Sequence, residues 1–350
     1  MRRKLLIAAV VLLLAAVSAG LWINREMQRQ LHAPMNVPGT ETLVVKPGMS
    51  LTAIGRDLAQ RGWLSHPYYF ILRVRLKGLA RHIKAGEYSV EPGMTPLQLL
   101  DKLIRGRVIQ YSLTLPEGLT FHQIMQLVEA QPQLRHTLPD DRPETVMQAI
   151  GEPGQSPEGR FYPDTYYFPR GTTDVEFLRR AYLTMSRVLA QEWQARAVGL
   201  PYKKPYDALI MASIIEKEAA IPEERERIAG VFVRRLERGM RLQTDPTVIY
   251  ALGKDYDGDI HRRDLATRSP YNTYMHAGLP PTPIAAPGRE SIHAALHPEP
   301  GDALYFVSRG DGSHQFSNTL EEHNRAVAKY QLNDSHKPQA TGNKKATSHK

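Results

Sequence analysis

The sequence predicts an α+β protein: an N-terminal transmembrane helix, a small α/β subdomain, and a larger mixed α+β domain with a glutamate carried on a helix. Three observations predict it. Leu5 to Ile23 runs without a charge, and that is the length a bilayer demands of a helix. A short strand, a Pro-Gly turn, a Ser or Thr and an amphipathic helix then recur, which is α/β alternation. Further on, Asp207 to Ala220 reads as a helix with Glu218 among its apolar residues.

Composition narrows the function classes. The chain has 350 residues, enough for two or three domains, and 42% hydrophobic residues, enough for a core. Net charge is +9, but Arg2, Arg3 and Lys4 supply three charges and the last twenty residues supply another three. The modest remainder argues against a nucleic-acid partner. The absence of Cys excludes disulfides, thiol nucleophiles and Cys-ligated zinc.

In chain order, residues 1–23 form a cytoplasmic stub and anchor. As a helix, Leu5–Ile23 spans about 28 Å. The basic residues before it place the N-terminus in the cytoplasm, and Trp22 lies where an aromatic belt forms. A cleaved signal peptide is the alternative, with Val17-Ser18-Ala19 as the cleavage site. Either way the rest of the chain is exported. Residues 24–40 are a polar, Pro-containing tether.

The repeat follows. Leu43 to Ser50 leads into Leu51, Ile54 and Leu58, and Tyr88 to Thr95 leads into Leu97, Leu100 and Leu103. A looser copy, Leu113 to Thr120, leads into Ile124 and Val128. Thr95 with Gln98 and Thr120 with Gln123 form capping boxes, and Gly62 and Gly106 stand where the first two helices should stop. The pattern resembles LysM, a small sugar-binding module of cell-wall proteins, over residues 41–110. A scaffold that packs and binds nothing fits the same pattern.

Residues 111–157 are a strand-helix extension and connection, with a short helix near Glu144–Ile150. Glu158 to Phe168 is dense in aromatics and suits either a glycan cleft or a core strand. Thr173 to Glu176 caps a helix with the stripe Phe177, Ala181, Met185, Val188 and Leu189. A charged helix runs from Pro222 to Arg238. Gly278 to Gly288 is a Pro-rich rigid loop. His293 and His297 have metal-ligand spacing, but the Glu of a zincin motif is missing, so no metal is expected. Leu304–Ser308 is a strand, Thr319 and Glu322 cap a last helix to about Leu332, and residues 333–350 are a disordered basic tail.

Glu218 is the residue with chemistry to offer. At about 100° per residue it lies among Ile210, Met211, Ile214 and Ile215, while Glu216 is about 160° away. Burial disfavours the charged form of a carboxyl, and a raised pKa suits a general acid. A helix-end Glu that snorkels out or meets an Arg is the alternative.

Ala212 to Glu218, Arg241 to Tyr250, Tyr271 to Tyr274, Gly278 to Pro281 and Glu322 to Asn324 together resemble the YceG-like (MltG) family of endolytic murein transglycosylases. The resemblance runs from the anchor to about residue 332. It implies a single-pass inner-membrane protein whose bulk is periplasmic and whose catalytic domain, residues 158–332, cleaves peptidoglycan glycan strands. The bond is that between N-acetylmuramic acid and N-acetylglucosamine, the product carries a 1,6-anhydro end, and the cut ends glycan elongation. Glu218 matches the family's catalytic residue, and no cofactor is required. Ala219 stands where the family often has Thr or Ser, which removes the usual source of a hydroxyl beside the carboxylate. Gln243, Asp245, Tyr271, Asn272 and Tyr274 are the glycan-holding candidates by motif and side-chain chemistry. Peptidoglycan synthases are the partners the family suggests. Two other readings stand beside this one. The first is a membrane-tethered peptidoglycan-binding scaffold without activity; the second is a His/Glu metallopeptidase.

Overall fold

The N-terminal helix outruns its apolar stretch. In the computed structural model, which describes residues 2–332, α1 spans Arg2–His32. It is the one helix among the described residues long and apolar enough to cross a membrane, and its apolar window is exposed throughout. Residues 24–40 are therefore not the free coil expected of a tether. Nothing between Asn24 and His32 breaks a helix, and Met27 and Leu31 lie one turn apart and are buried with Met35 and Val37. Backbone bonds from Met35 to Met94 and from Asn36 to Trp63 fix the segment that follows. The expected tail, 333–350, lies outside the described residues.

The chain divides into two compact units. One holds residues up to Ser112 with Tyr167–Thr172, and the other holds the rest. The first contains β1 (Glu41–Val45), α2 (Leu51–Gln60), α3 (Pro67–Leu76), β2 (Gly86–Val90) and α4 (Pro96–Arg105). β1 and β2 pair antiparallel with Leu43 opposite Tyr88. The two copies of the repeat share one core around Leu43, Ile54, Leu58, Tyr88, Leu99 and Leu103. Ser50 accepts from the Ala53 N–H at 3.2 Å, and Thr95 with Gln98 closes a capping box. Gly62 and Gly106 take φ of 74° and 66° beyond α2 and α4, a conformation costly for a residue with a Cβ.

The division falls within β3 (Tyr111–Thr114) and β4 (Thr165–Phe168). The second unit contains α5 (Phe121–Glu129), α6 (Pro143–Ala149), α7 (Asp174–Ala195), α8 (Pro205–Glu218) and α9 (Arg225–Glu237). After these come α10 (Asp245–Leu252), α11 (Arg289–Leu296), β5 (Tyr305–Ser308), β6 (His314–Ser317) and α12 (Leu320–Val327), which ends in a π turn. Capping boxes at Thr120, Thr173 and Thr319 start α5, α7 and α12. In the aromatic segment Phe161, Tyr166 and Phe168 are buried, and only its end, Thr165–Phe168, forms a strand.

α8 is the axis of this unit, packed on α11, α9, α7 and α10. Every residue from Ala208 to Ile215 is buried. The expected single apolar side is thus incorrect. With neighbours all round, position on the helical wheel does not separate Glu218 from Glu216.

Candidate active site

α8 delivers its last residue, Glu218, to a cleft. Ala219 leaves the helix with an extended backbone while its N–H still bonds Ile215, so the Glu218 side chain sits where the core ends. The facing loop folds because Thr244-Asp245-Pro246 starts α10 with proline in its first turn. Thr244 holds the N-cap position, yet its hydroxyl does not cap the helix. It donates instead to Glu218 Oε2 at 2.9 Å. A cap bond worth about 1 kcal/mol is forgone to do so.

Thr244 is held by two more buried threonines. Its N–H donates to Thr273 Oγ1 at 3.1 Å, and the Thr247 hydroxyl donates to its carbonyl at 2.7 Å. Thr247 and Thr273 hydroxyls are 2.9 Å apart. The hydroxyl that meets Glu218 is therefore held on a fixed support.

The cleft, about 500 Å³, is lined by Glu218, Gln243, Asp245 and Tyr274, with β5 and α12 contributing Tyr305, His323 and Asn324. Glu218 is pushed up to about 7: burial raises it most, the Thr244 bond lowers it, and the Asp245 charge raises it. Its side chain remains only partly buried, which gives a substrate access. Asp245 Oδ1 accepts from the Tyr274 hydroxyl at 2.6 Å. Gln243 has φ 53°, the one left-handed non-glycine residue among those described. Such strain costs about 1–3 kcal/mol and gathers at functional sites.

Two of the five glycan-holding candidates are elsewhere. Asn272 is fully buried. Its Nδ2 donates to the Leu265 and Thr267 carbonyls, and its Oδ1 accepts from the Tyr274 N–H at 2.9 Å. With those bonds made it braces the loop that aims Tyr274, and it does not line the cleft. Tyr271 also lies off the cleft. Its hydroxyl is 2.9 Å from Thr282 Oγ1 and its ring packs on Tyr250.

Sequence reasoning missed Thr244, whose signal was only its place between two singled-out residues. It also gave no role to His323 or Asn324, although both stood in a quoted motif. A second carboxyl, Glu158, is buried and pushed up to about 7 by desolvation. It accepts from the Phe121 N–H and the Tyr250 hydroxyl, each at 2.9 Å, and faces a different cavity. Glu216 is partly buried. Its Oε2 accepts from the Gly288 N–H at 3.0 Å and the Ser291 hydroxyl at 2.7 Å, which pins the start of α11.

His293 and His297 come within 4.8 Å of Glu192 by their ligand atoms. Glu192 takes bonds from Arg289 and His293, while both ring nitrogens of His297 face the carbonyls of His293 and Ala195. The group reads as a brace between α7 and α11.

Residues 43–329 match the YceG-like family. A Bacillus subtilis (strain 168) protein named endolytic murein transglycosylase is 33% identical over 308 residues, 83% of this chain and 85% of that protein. A Streptococcus pneumoniae (strain D39) protein of the same name is 28% identical over 363 aligned positions, 93% of this chain and 65% of that protein. The crystal structure of a yceG-like protein from Listeria monocytogenes has a TM-score of 0.53 at 32% identity, covering 83% of this chain and 99% of its own.

Proposed function

The chain belongs to the YceG-like family, and from that premise we propose that it is an endolytic murein transglycosylase in which Glu218 is the sole acid and base. The observation that carries the assignment is Glu218 itself, a carboxyl pushed up to about 7 at the wall of a cleft within the family-matched residues. Near neutral pH about half of such groups hold a proton, the condition for a general acid.

Protonated Glu218 donates to the oxygen that links N-acetylmuramic acid to N-acetylglucosamine. As the C1–O bond breaks, positive charge develops at the muramic C1. The carboxylate left on Glu218 accepts the proton of the same sugar's C6 hydroxyl, and O6 closes on C1 to give the 1,6-anhydro ring. Ordinary glycosidases need a second carboxyl to activate water or attack. Here the nucleophile belongs to the substrate, so one carboxyl completes the cycle without a cofactor. Thr244 orients it, and Gln243, Asp245 and Tyr274 are the groups we assign to the glycan.

In this reading α1 anchors the chain in the inner membrane with Arg2, Arg3 and Lys4 in the cytoplasm. The LysM-like subdomain, residues 41–110, and the catalytic domain, residues 158–332, are periplasmic. Cleavage within nascent strands ends their elongation, and peptidoglycan synthases, which supply those strands, are the partners this calls for. Purified full-length protein in detergent, incubated with peptidoglycan and followed by mass spectrometry, is expected to yield anhydro-muramyl ends inside long strands. Reducing muramyl ends would make it a hydrolase, and binding without any cleavage would support the scaffold reading.

A further inference from the structure

α3 has a face that nothing among the described residues covers. Tyr69, Phe70 and Val74 are buried, but Tyr68, Leu72 and Leu76 are 54%, 37% and 69% exposed. They are four residues apart, so they form one stripe along the helix. An apolar stripe on a surface helix marks an interaction site. The charge along this stretch of sequence is one-sided. From Leu58 to Gly86 there is no acidic residue, and although Arg61 is paired with Asp57, the stretch also carries Arg73, Arg75, Lys77, Arg81 and Lys84. An aromatic and aliphatic stripe flanked by Arg and Lys is the composition of a helix lying at a membrane surface.

The place of α3 beside α1 says which surface. α1 is continuous from its apolar run into the first unit and packs on α3. At the start of α3, His66 and Tyr69 lie close enough to Glu26 and Arg29 for their charges to act on one another. Counted along the helix, Glu26 and Arg29 are about 5 and 9 Å beyond Ile23. The headgroup layer on one side of a bilayer is about 5–8 Å deep. The start of α3, at His66 and Tyr69, therefore stands at headgroup depth if α1 spans the bilayer.

We propose that the Tyr68–Leu72–Leu76 face of α3 rests in the headgroup layer of the membrane that α1 spans, its flanking Arg and Lys paired with anionic phospholipid. This rests on the reading of α1 as a retained anchor. The contact adds a second attachment point beside α1, so the first unit is held against the lipid.

The chain has no cysteine, so single cysteines can be spin-labelled cleanly. Full-length Leu72→Cys, Leu76→Cys, Leu14→Cys and Val198→Cys proteins would be placed in nanodiscs of equal parts phosphatidylglycerol and phosphatidylcholine. Access to an aqueous nickel relaxant and to oxygen is then measured. Leu14 reports the anchor, and Val198, 98% exposed in the second unit, reports water. The expected result is strong protection from nickel at 14 and clear protection at 72 and 76, with none at 198. Protection at 14 with 72 and 76 as open as 198 would overturn the proposal and leave the anchor standing. An open label at 14 would remove the anchor and the proposal with it.

Discussion

Replacing Thr244 by valine should move the working pH of the enzyme upward. The Thr244 hydroxyl donates to Glu218 Oε2 at 2.9 Å, and a donor favours the ionised carboxyl. The bond therefore holds Glu218 below the value burial alone would set. A hydrogen bond to a charged acceptor is worth about 1.5–3 kcal/mol and one to a neutral acceptor about 1 kcal/mol. The difference, about 1 kcal/mol or a little more, corresponds to roughly one pKa unit. Glu218 must be protonated to start the reaction, so activity falls as pH rises through its pKa, near 7. In Thr244→Val that alkaline limb should lie about one unit higher. The bonds that hold the Thr244 backbone to Thr273 and Thr247 do not use its side chain, so the loop should persist. The assay is kcat/KM against pH on purified peptidoglycan, which reports the free enzyme. Thr244→Ser should restore the original limb. A limb that stays near 7, or moves to lower pH, would refute the reasoning.

Stability should also depend on pH, with a sign fixed by two carboxyls. Glu158 and Glu218 titrate near 7 when folded against an ordinary 4.5. The folded state binds more protons between those values, so the stabilisation these two groups contribute is fully present below about 4.5 and is lost as pH rises through about 7, by up to about 3 kcal/mol per group. Urea unfolding at pH 5 and pH 8 checks this, and equal stability at both would contradict it. Asn272→Ala leaves the Leu265 and Thr267 carbonyls and the Tyr274 N–H without a partner. It should cost about 2–3 kcal/mol of stability, read as a lower thermal-unfolding midpoint. Unchanged thermal unfolding with lost glycan binding would return Asn272 to the substrate.

The local parts of this fold were legible because they are short-range. Ser50, Thr95, Thr120, Thr173 and Thr319 each cap the helix their sequence announces. α3 was hidden because its apolar residues fall on every side, leaving no helical period to find. α10 was hidden because Thr-Asp-Pro reads equally as a turn, although proline in a first turn is a helix start. Pro34 and Pro38 suggested a tether, yet the nine residues before Ala33 contain no breaker and carry Met27 and Leu31 inward. The site was legible only in part. Glu218 was singled out by a wheel argument that an all-round buried helix does not support. What distinguishes it from Glu216 is its partners, Thr244 at the start of α10 rather than Gly288 and Ser291 at the start of α11. Those contacts join residues 26 to 75 positions apart, and no pattern along one sequence discloses them.

The most direct measurement compares Glu218→Gln with Glu216→Gln. Gln keeps the shape of Glu and cannot carry the proton. Both proteins would be purified full length, matched by thermal unfolding, and assayed for anhydro-muramyl products. Glu218→Gln should lose about 10²–10⁴-fold in turnover, the range a general acid contributes, and should still bind glycan. Glu216→Gln should keep most of its turnover and lose some stability, because its bonds to Gly288 and Ser291 are structural. An active Glu218→Gln beside an inactive, well-folded Glu216→Gln would contradict the assignment of Glu218 as the acid.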